Sequence, residues 1–395
     1  MADTQWVVVV VAATDRAMGS VLAASLMLPG MAILPLSLQA QNLPEHGLIA
    51  LKMGYFSDSQ PGWERVSVRS PQLYALVPIA GEWSLEGSLA GDSVSGATPR
   101  MHTFESGATP HMDDYRRAAD VKVTRHFARA AVSAGIGFSS ELDYKSRALN
   151  LQARLSSEDN NTTWAFGYGG ARDVIDNQSI GGGAIDQSRR TDEWMVGLTQ
   201  VMTADDIVQI NLTRSVGTGY FNDPYKDFED RPDYRNVNVA LLRWNHYMDS
   251  MDASVRASYR LYGDSFGVKS QTLGIEWSKS FHRWTWVPGL RAYSQTAADF
   301  YFDPVVDGAG VPSVALTRRF ANRLTGHRSA DQRLAAYGAL AISMKVAFDI
   351  DSLTQLDLKV ESYRQRSDLQ WGGDGSPHLE SYNARSLQVG LVHKF

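Results

Sequence analysis

The chain has no cysteine among its 395 residues. This absence excludes disulfide bonds, thiolate metal sites, c-type haem attachment and a lipid-modified N-terminal cysteine. It also suits a protein that crosses an oxidising periplasm before it folds. Positive charge is in deficit as well: the formal net charge is −5, which argues against a surface for nucleic acid.

Long apolar runs are missing after residue 41, where no stretch approaches the roughly 18 apolar residues that a membrane helix needs. The preceding segment is different. Arg16 precedes an apolar run over 21–38, and residues 37–40 offer a cleavage site. We predict a cleaved targeting segment over 1–40, followed by the mature chain over 41–395.

Two features of this segment leave alternatives open. The apolar run over 7–11 is unusual for a signal sequence and indicates that the true start lies nearer Arg16. The other interpretation of 21–38 is a single transmembrane anchor. Pro29 and Pro35 argue against that anchor, because each proline removes a helix hydrogen bond.

Alternation of apolar and polar residues replaces helical periodicity in the rest of the chain. Ala253, Val255 and Ala257, for example, alternate with Ser254 and Arg256. Sixteen such segments are centred near residues 51, 74, 87, 122, 134, 151, 166, 197, 211, 240, 257, 275, 290, 340, 358 and 389. In each segment one face suits lipid and the other suits water, and an even number of strands is typical of bacterial single-chain barrels. The predicted fold class is all-β, a transmembrane antiparallel β-barrel of about sixteen strands.

The connections between these segments alternate between tight and long, with two short exceptions near 141–144 and 262–268. The predicted long connections are 94–114, 174–189, 216–234, 297–328 and 366–380. Short periplasmic turns and long extracellular loops are the pattern of outer-membrane barrels. The bacterial outer membrane is therefore the predicted location, with both termini on the periplasmic side.

Aromatic and charged residues refine this prediction. Six tryptophans are expected near strand ends, mostly beside tight turns, as an interfacial girdle: Trp83, Trp164, Trp194, Trp277, Trp284 and Trp286. Arg214 and Arg243 interrupt apolar faces, which predicts either bulges there or an error in the register assigned to these strands. The last strand ends in Phe395, the aromatic terminus that serves as the insertion signal of such barrels. A soluble propeller or sandwich also has many short strands, but no blade-length repeat is visible.

Several longer stretches are family-specific: residues 83–100, 120–127, 157–164, 219–226, 294–304 and 329–334. Together they resemble a family of exported Gram-negative proteins catalogued as domain of unknown function 3570, over roughly residues 45–395. The resemblance implies an outer-membrane location. Members of the family are often encoded near a flavin transferase and small exported proteins, which hints at redox systems outside the cytoplasm. It carries over no catalytic residue.

Motifs for catalysis and metal binding favour ordinary structural roles. Residues 263–267 (Gly-Asp-Ser-Phe-Gly) match a nucleophile elbow, but they join two strands without a helix, so a hairpin turn is the better interpretation. Histidines 102, 111, 327 and 378 lie in predicted outer loops, as do acidic clusters at 223–233 and 299–307. We interpret these as solvated loop residues and predict no catalytic residue, metal site or cofactor.

The predicted lumen carries the most information about function. Alternation places eleven charged residues on its wall: Lys52, Glu86, Lys122, Arg154, Arg256, Arg260, Glu276, Arg291, Asp357, Lys359 and Glu361. Sixteen-stranded barrels leave an aqueous channel, and charges that line it set selectivity. These charges also have a second interpretation, as pairs that stiffen the wall. The connection 297–328 is long enough to form a constriction or plug.

The leading functional hypothesis is a porin-like channel for small hydrophilic solutes or ions. The alternative is a non-conducting scaffold or conduit for an exported partner, with a redox protein that brings its own cofactor as the candidate. An outer-membrane hydrolase is a third hypothesis. The expected partners are outer-membrane lipid and lipopolysaccharide, the barrel-assembly machinery and a periplasmic or exported redox protein, with no nucleic acid.

Overall fold

The structure is a computed structural model that describes residues 43–96, 112–176, 186–223, 229–309 and 313–395. Sixteen antiparallel strands each pair with the next along the chain, and the last pairs with the first, so the sheet closes into a barrel. The strands are β1 Leu48–Gln60, β2 Trp63–Ile79, β3 Trp83–Gly96, β4 Met112–His126, β5 Ala130–Ser140, β6 Tyr144–Ser156, β7 Thr162–Ile175, β8 Gln187–Val201, β9 Asp206–Gly219, β10 Tyr234–Met248, β11 Ala253–Asp264, β12 Lys269–Phe281, β13 Trp284–Gln295, β14 Tyr337–Asp349, β15 Thr354–Arg366 and β16 Tyr382–Lys394. Each predicted segment centre lies inside the corresponding strand, so the predicted fold class is confirmed.

The two faces of the barrel have inverted polarity compared with a soluble protein. On β1, Leu51 is 51% exposed on the outer face, whereas its neighbour Lys52 is 8% exposed on the inner face. The same alternation repeats around the barrel, with large apolar side chains outside and polar or charged ones inside. Such a barrel needs an apolar solvent around its outer face.

The two ends of the barrel differ in their connections. The start of β1 and the end of β16 lie at the same end of the barrel, here called the turn end. The short connections of the turn end are 80–82, 127–129, 157–161, 202–205, 249–252, 282–283 and 350–353. The opposite end, called the loop end, carries 220–233, 296–336 and 367–381, together with the shorter 61–62, 141–143 and 265–268. The connection predicted over 297–328 is longer than expected and contains an α-helix, α1, over Val314–Ala321. Among the described residues, no helix is long and apolar enough to span a membrane.

At the turn end, Phe395 extends the pairing of β16 with β1. The backbone N–H of Phe395 donates to the Gly47 carbonyl at 3.0 Å, and the Gly47 N–H donates back at 2.9 Å. The Phe395 ring covers Gly47, because a Cβ added to Gly47 would collide with that ring. The predicted targeting segment over 1–40 lies outside the described residues.

One expectation about strand residues is wrong, and one alternative left open by the sequence is decided. Trp83 and Trp284 do open their strands beside tight turns, but Trp194 lies in the middle of β8, with Tyr168 and Arg214 as its cross-strand partners. The β9–β10 register also runs without interruption through Arg214 and Arg243. No bulge is needed there, because Arg243 faces the lumen and Arg214 faces outward.

Candidate functional site: a charged lumen wall

All eleven sequence-predicted charges lie on the inner face of the barrel. Eight of them, together with two that sequence reasoning missed, cover the wall from β10 through β16 to β1. We call this set the wall cluster: Arg243, Arg256, Arg260, Glu276, Arg291, Lys345, Asp357, Lys359, Glu361 and Lys52. Its basic members outnumber its acidic ones, so this wall carries a local excess of positive charge.

Small residues make room for these long side chains. Lys52 on β1 and Asp357 on β15 both lie opposite Gly390 of the intervening strand β16. The Lys52 Nζ and an Asp357 carboxylate oxygen are 3.9 Å apart across that glycine. A Cβ on Gly390 would lie too close to the Asp357 carboxylate, so the pair depends on glycine at this position.

A second bridge spans β14. Arg291 on β13 donates from its Nη2 to Glu361 on β15 at 2.9 Å. The β14 residues on that path are Ala341 and Ser343, which pair with Arg291 and Glu361 respectively. Lys359 lies 3.9 Å from the same Glu361 carboxylate, so one acidic group serves two basic ones.

Glu276 on β12 is the third acidic group of this wall. It lies opposite Arg256 on β11, with 3.8 Å between the charged atoms. On its other side is Gly289, where an added Cβ would stand 2.7 Å from the Ser343 hydroxyl and 3.4 Å from Glu276 Cγ. Acidic groups therefore lie between basic ones along the wall, which keeps the cluster polar and limits repulsion within it.

Sequence reasoning missed Lys345 and Arg243. Lys345 lies opposite Lys359, and its whole residue is 5% exposed. The alternation of Ser343, Lys345 and Ala347 with Met344 and Val346 was the signal that places it inward. Arg243 looks in the sequence like a break in an apolar face. Alternate residues of β10 face the lumen, however, and the alternation that places Asn245 inward also places Arg243 inward.

The other three predicted lumen residues, Glu86, Lys122 and Arg154, lie on the opposite wall, from β3 to β6. Lys122 forms an ion pair with Glu86 at 2.9 Å, and the Tyr74 hydroxyl donates to the same carboxylate at 2.8 Å. This wall is therefore more evenly paired than the wall cluster. The lumen is polar on both sides and has its positive excess on one.

Towards the loop end, the inner face carries buried Asp–Arg–Tyr groups. In one of them, Arg65 donates twice to the Asp58 carboxylate, at 2.7 and 2.8 Å, and the Tyr382 hydroxyl donates to it at 3.1 Å. Two further groups of the same composition join Tyr144, Asp173 and Arg189, and Arg235, Tyr262 and Asp264. Paired and hydrogen-bonded in this way, the charges tolerate burial, and removal of one partner leaves the other uncompensated.

The described residues of the loops 220–233, 265–268, 296–336 and 367–381 pack together into one unit, which we call the loop cap. Its apolar core is formed by Phe221, Phe266, Val268, Ala298 and Leu334. The rings of Phe221 and Phe266, from two different loops, meet edge to face at 5.9 Å between centroids. The loop predicted as a constriction or plug thus packs against its neighbouring loops as part of this cap.

Ion pairs hold the polar part of the loop cap together. Asp331 is fully buried and accepts from Arg231 at 2.7 Å and from the Arg333 side chain. Arg333 also donates to Asp223 at 2.6 Å. Within 223–233, as far as the structure describes it, Asp223 is paired with Arg333 and Glu229 with Arg231. Asp230 lies beside His327, and Asp233 is exposed.

Tyr301 and Asp303 form a further polar pair inside the loop cap. Burial raises the pKa of the Tyr301 phenol above its ordinary value, and the nearby Asp303 carboxylate raises it further. The phenol donates to that carboxylate at 3.1 Å. Burial also raises the pKa of Asp303 itself, which shows that both groups are drawn out of water.

The Gly-Asp-Ser-Phe-Gly segment is a hairpin turn, as expected. It connects β11 to β12, and the Asp264 carboxylate accepts from the backbone N–H groups of Phe266 and Val268, both at 3.0 Å. The Ser265 hydroxyl accepts from the Asn236 N–H at 3.0 Å. His327 lies 3.4 Å from Asp230 in an exposed pair, whereas His102 and His111 lie outside the described residues.

A closed sixteen-stranded barrel with an apolar outer face and a charged inner face defines the class of outer-membrane-type β-barrels. The chain belongs to the family described as protein of unknown function DUF3570, whose profile matches residues 18–383. This match confirms the resemblance seen in the sequence. No curated protein matches the chain.

Solved structures are similar to this chain in fold. A bacterial polysaccharide outer membrane secretin superposes with a TM-score of 0.50 at 7% identity, over 90% of this chain and 99% of that one. OccAB1 of Acinetobacter baumannii gives a TM-score of 0.43 at 10% identity, over 90% of this chain and 98% of that one. A FadL homologue of Pseudomonas aeruginosa gives 0.43 at 10% identity, over 88% of this chain and 90% of that one. At these identities the likeness concerns the fold alone.

Proposed function

We propose that the protein is an outer-membrane channel for small hydrophilic solutes or ions, and that it prefers anions. The observation that carries this proposal is the positive excess of the wall cluster on the inner face. Sixteen-stranded barrels enclose an aqueous lumen, and the charges that line such a lumen decide which ions enter it. The apolar outer face supports a location in a bilayer.

The orientation follows from the two ends of the barrel. Outer-membrane barrels place their short turns in the periplasm and their long loops outside. By this rule the turn end faces the periplasm and the loop cap faces the exterior. The loop cap then covers the side of the outer mouth above β9 to β16, the same side that carries most of the wall cluster.

Arg256 and Arg260 are the residues on which the channel proposal is most directly tested. Both face the lumen from β11, where Arg256 lies opposite Glu276 and Arg260 lies opposite Thr272. The double variant Arg256→Glu, Arg260→Glu converts two positive charges into two negative ones without changing the outer face. We expect the reversal potential in a salt gradient to shift from anion preference towards cation preference.

A matched control is available on the outer face. Arg364 on β15 and Arg385 on β16 point outward and are exposed. The double variant Arg364→Glu, Arg385→Glu makes the same change in net charge outside the lumen, and we expect it to leave the reversal potential unchanged. Equal shifts in both variants, or no shift in either conducting variant, would show that the wall cluster does not line the permeation path.

The alternative is a non-conducting scaffold that holds an exported partner, such as a redox protein, in or beneath the barrel. The preformed loop cap, with its own buried core, is the observation that favours it. The two proposals separate in one respect: a channel conducts when purified alone, whereas a scaffold is silent alone and co-purifies with its partner.

A further inference from the structure

A row of arginines crosses the outer face of the barrel near the loop end. Arg147 on β6 pairs with Arg172 on β7, and Arg172 pairs with Arg190 on β8. All three side chains point outward and are exposed. Like charges directly opposite each other on adjacent strands repel and are destabilising. A bound anion would reduce the repulsion between these arginines.

The protein itself supplies only part of the compensation. Asp192, one outward position below the row on β8, accepts from Arg190 at 2.7 Å. The same carboxylate acts on Arg172 at longer range. Within the described part of the chain, Arg147 and Arg172 make no hydrogen bond or ion pair. Two guanidinium groups therefore remain open to a ligand.

The height of the row matches the level of lipid headgroups. At about 3.3 Å per residue and a strand tilt of about 40°, Arg172 lies about 20 Å above Trp164 along the barrel axis. Trp164 is near the turn end of β7 and belongs to the aromatic girdle of that end. The apolar band of such barrels is ~25 Å tall, so the row lies close to its upper boundary.

The surface below the row suits the rest of a lipid. On β6 the outward residues towards the turn end are Leu149, Leu151, Ala153 and Leu155. Tyr168 and Trp194 pack against each other at 6.0 Å between ring centroids, just below the row. Gly170, between Leu149 and Asp192, lies directly beneath Arg172 and is covered by the Tyr168 hydroxyl, which donates to Asp192 at 2.7 Å. Phosphate-binding guanidinium groups thus stand above an apolar and aromatic wall.

We propose that Arg147, Arg172 and Arg190 form a binding site for the phosphate groups of lipid A, the anionic glycolipid of the outer leaflet. Arginine binds phosphate bidentately, and basic surfaces at the membrane boundary recognise anionic headgroups. The site rests on the orientation proposed above, with the loop end outside. It does not depend on whether the barrel conducts.

The test measures binding of purified bisphosphorylated lipid A to the detergent-folded full barrel by native mass spectrometry. We expect the double variant Arg147→Gln, Arg172→Gln to bind about tenfold more weakly than the wild type, as the loss of a charge-assisted contact predicts. The control variant Arg364→Gln, Arg385→Gln removes two outward arginines elsewhere on the loop-end rim and is expected to bind like the wild type. Heat-modifiable migration on gels verifies that each variant is folded.

Two further measurements identify the ligand. Lipid A stripped of its phosphates is expected to bind far more weakly, and a large excess of inorganic phosphate is expected not to displace the intact lipid. Equal binding by the wild type and the Arg147, Arg172 variant would overturn the proposal. So would equal binding of phosphorylated and stripped lipid A, or displacement by inorganic phosphate. Conductance plays no part in these outcomes, so a silent barrel leaves the test unaffected.

Discussion

Lys52 and Asp357 form an ion pair across an entire intervening strand, because Gly390 leaves the space between them empty. This arrangement shows how the wall cluster is built. Charged side chains lie along the wall, over glycine, alanine or serine on the next strand. The inner face keeps its charges without needing side chains that reach across the lumen.

Gly390 is therefore expected to tolerate no side chain. In Gly390→Ala the new Cβ displaces the Asp357 carboxylate, and overpacking of this kind costs about 1–3 kcal/mol. The measurement is the urea midpoint of the barrel refolded in detergent. The control is Gly54→Ala on β1, where the added Cβ makes an ordinary 3.6 Å contact with Ser70. Equal midpoints for the two variants would contradict the steric account.

The buried Asp58–Arg65 pair gives a second prediction. Asp58→Asn leaves the Arg65 guanidinium buried without its counter-charge, which costs about 3–5 kcal/mol. The matched control is Glu158→Gln, which breaks the exposed pair with Arg129 in a turn and is expected to change stability by less than about 1 kcal/mol. Unfolding of both variants in urea, monitored by tryptophan fluorescence, provides the comparison. A loss as small as the control's would mean that the pair is solvated.

Asp331 is expected to hold the loop cap together. Asp331→Asn removes one of the two counter-charges of Arg231, the other being Glu229, and weakens the contact with Arg333, so the cap should loosen while the barrel stays closed. Limited proteolysis of the folded barrel should then cut within 220–233 and 296–336 several times faster than in the wild type. His327→Gln, which removes an exposed pair with Asp230, is the control and should digest normally. An unchanged digestion pattern for Asp331→Asn would show that the cap does not depend on the ion pairs of Asp331.

Phe395 is predicted to act as the insertion signal in addition to closing the barrel. Phe395→Ser should lower the amount of folded barrel in cell outer membranes several-fold, whereas Phe395→Tyr should retain it. Refolding of purified protein into detergent separates the two roles, since no assembly machinery is present there. Normal refolding with poor assembly in cells supports a signal. Failure in both settings would assign Phe395 a structural role over Gly47 instead.

The strands could be predicted from the sequence because their signal is local. Alternation within ten or so residues identifies each strand. The same alternation shows that Arg256 and Lys359 face inward, without knowledge of the partner strand. The alternation along β14 also places Lys345 inward. For Arg214 the alternation does not predict a defect of the strand, because this basic residue faces outward within a continuous register.

The loop cap could not be predicted in the same way. Its core brings Phe221 against Phe266, and its ion pairs bring Asp223 against Arg333, from loops that are far apart in sequence. No periodic pattern records such contacts. The burial of Asp331 likewise depends on Arg231, which comes from a loop about 100 residues away in sequence, so the local sequence context of Asp331 resembles that of any polar loop residue.

The measurement that tests the central claim most directly is the current through the purified, folded wild-type barrel in a planar lipid bilayer. The account predicts stable ohmic steps and, in a salt gradient, a reversal potential on the anion-selective side, as the positive excess of the wall cluster requires. The absence of any current through a folded, heat-modifiable barrel would contradict the channel proposal and favour the scaffold that holds a partner. Steps with a clear cation preference would contradict the role assigned to the wall cluster.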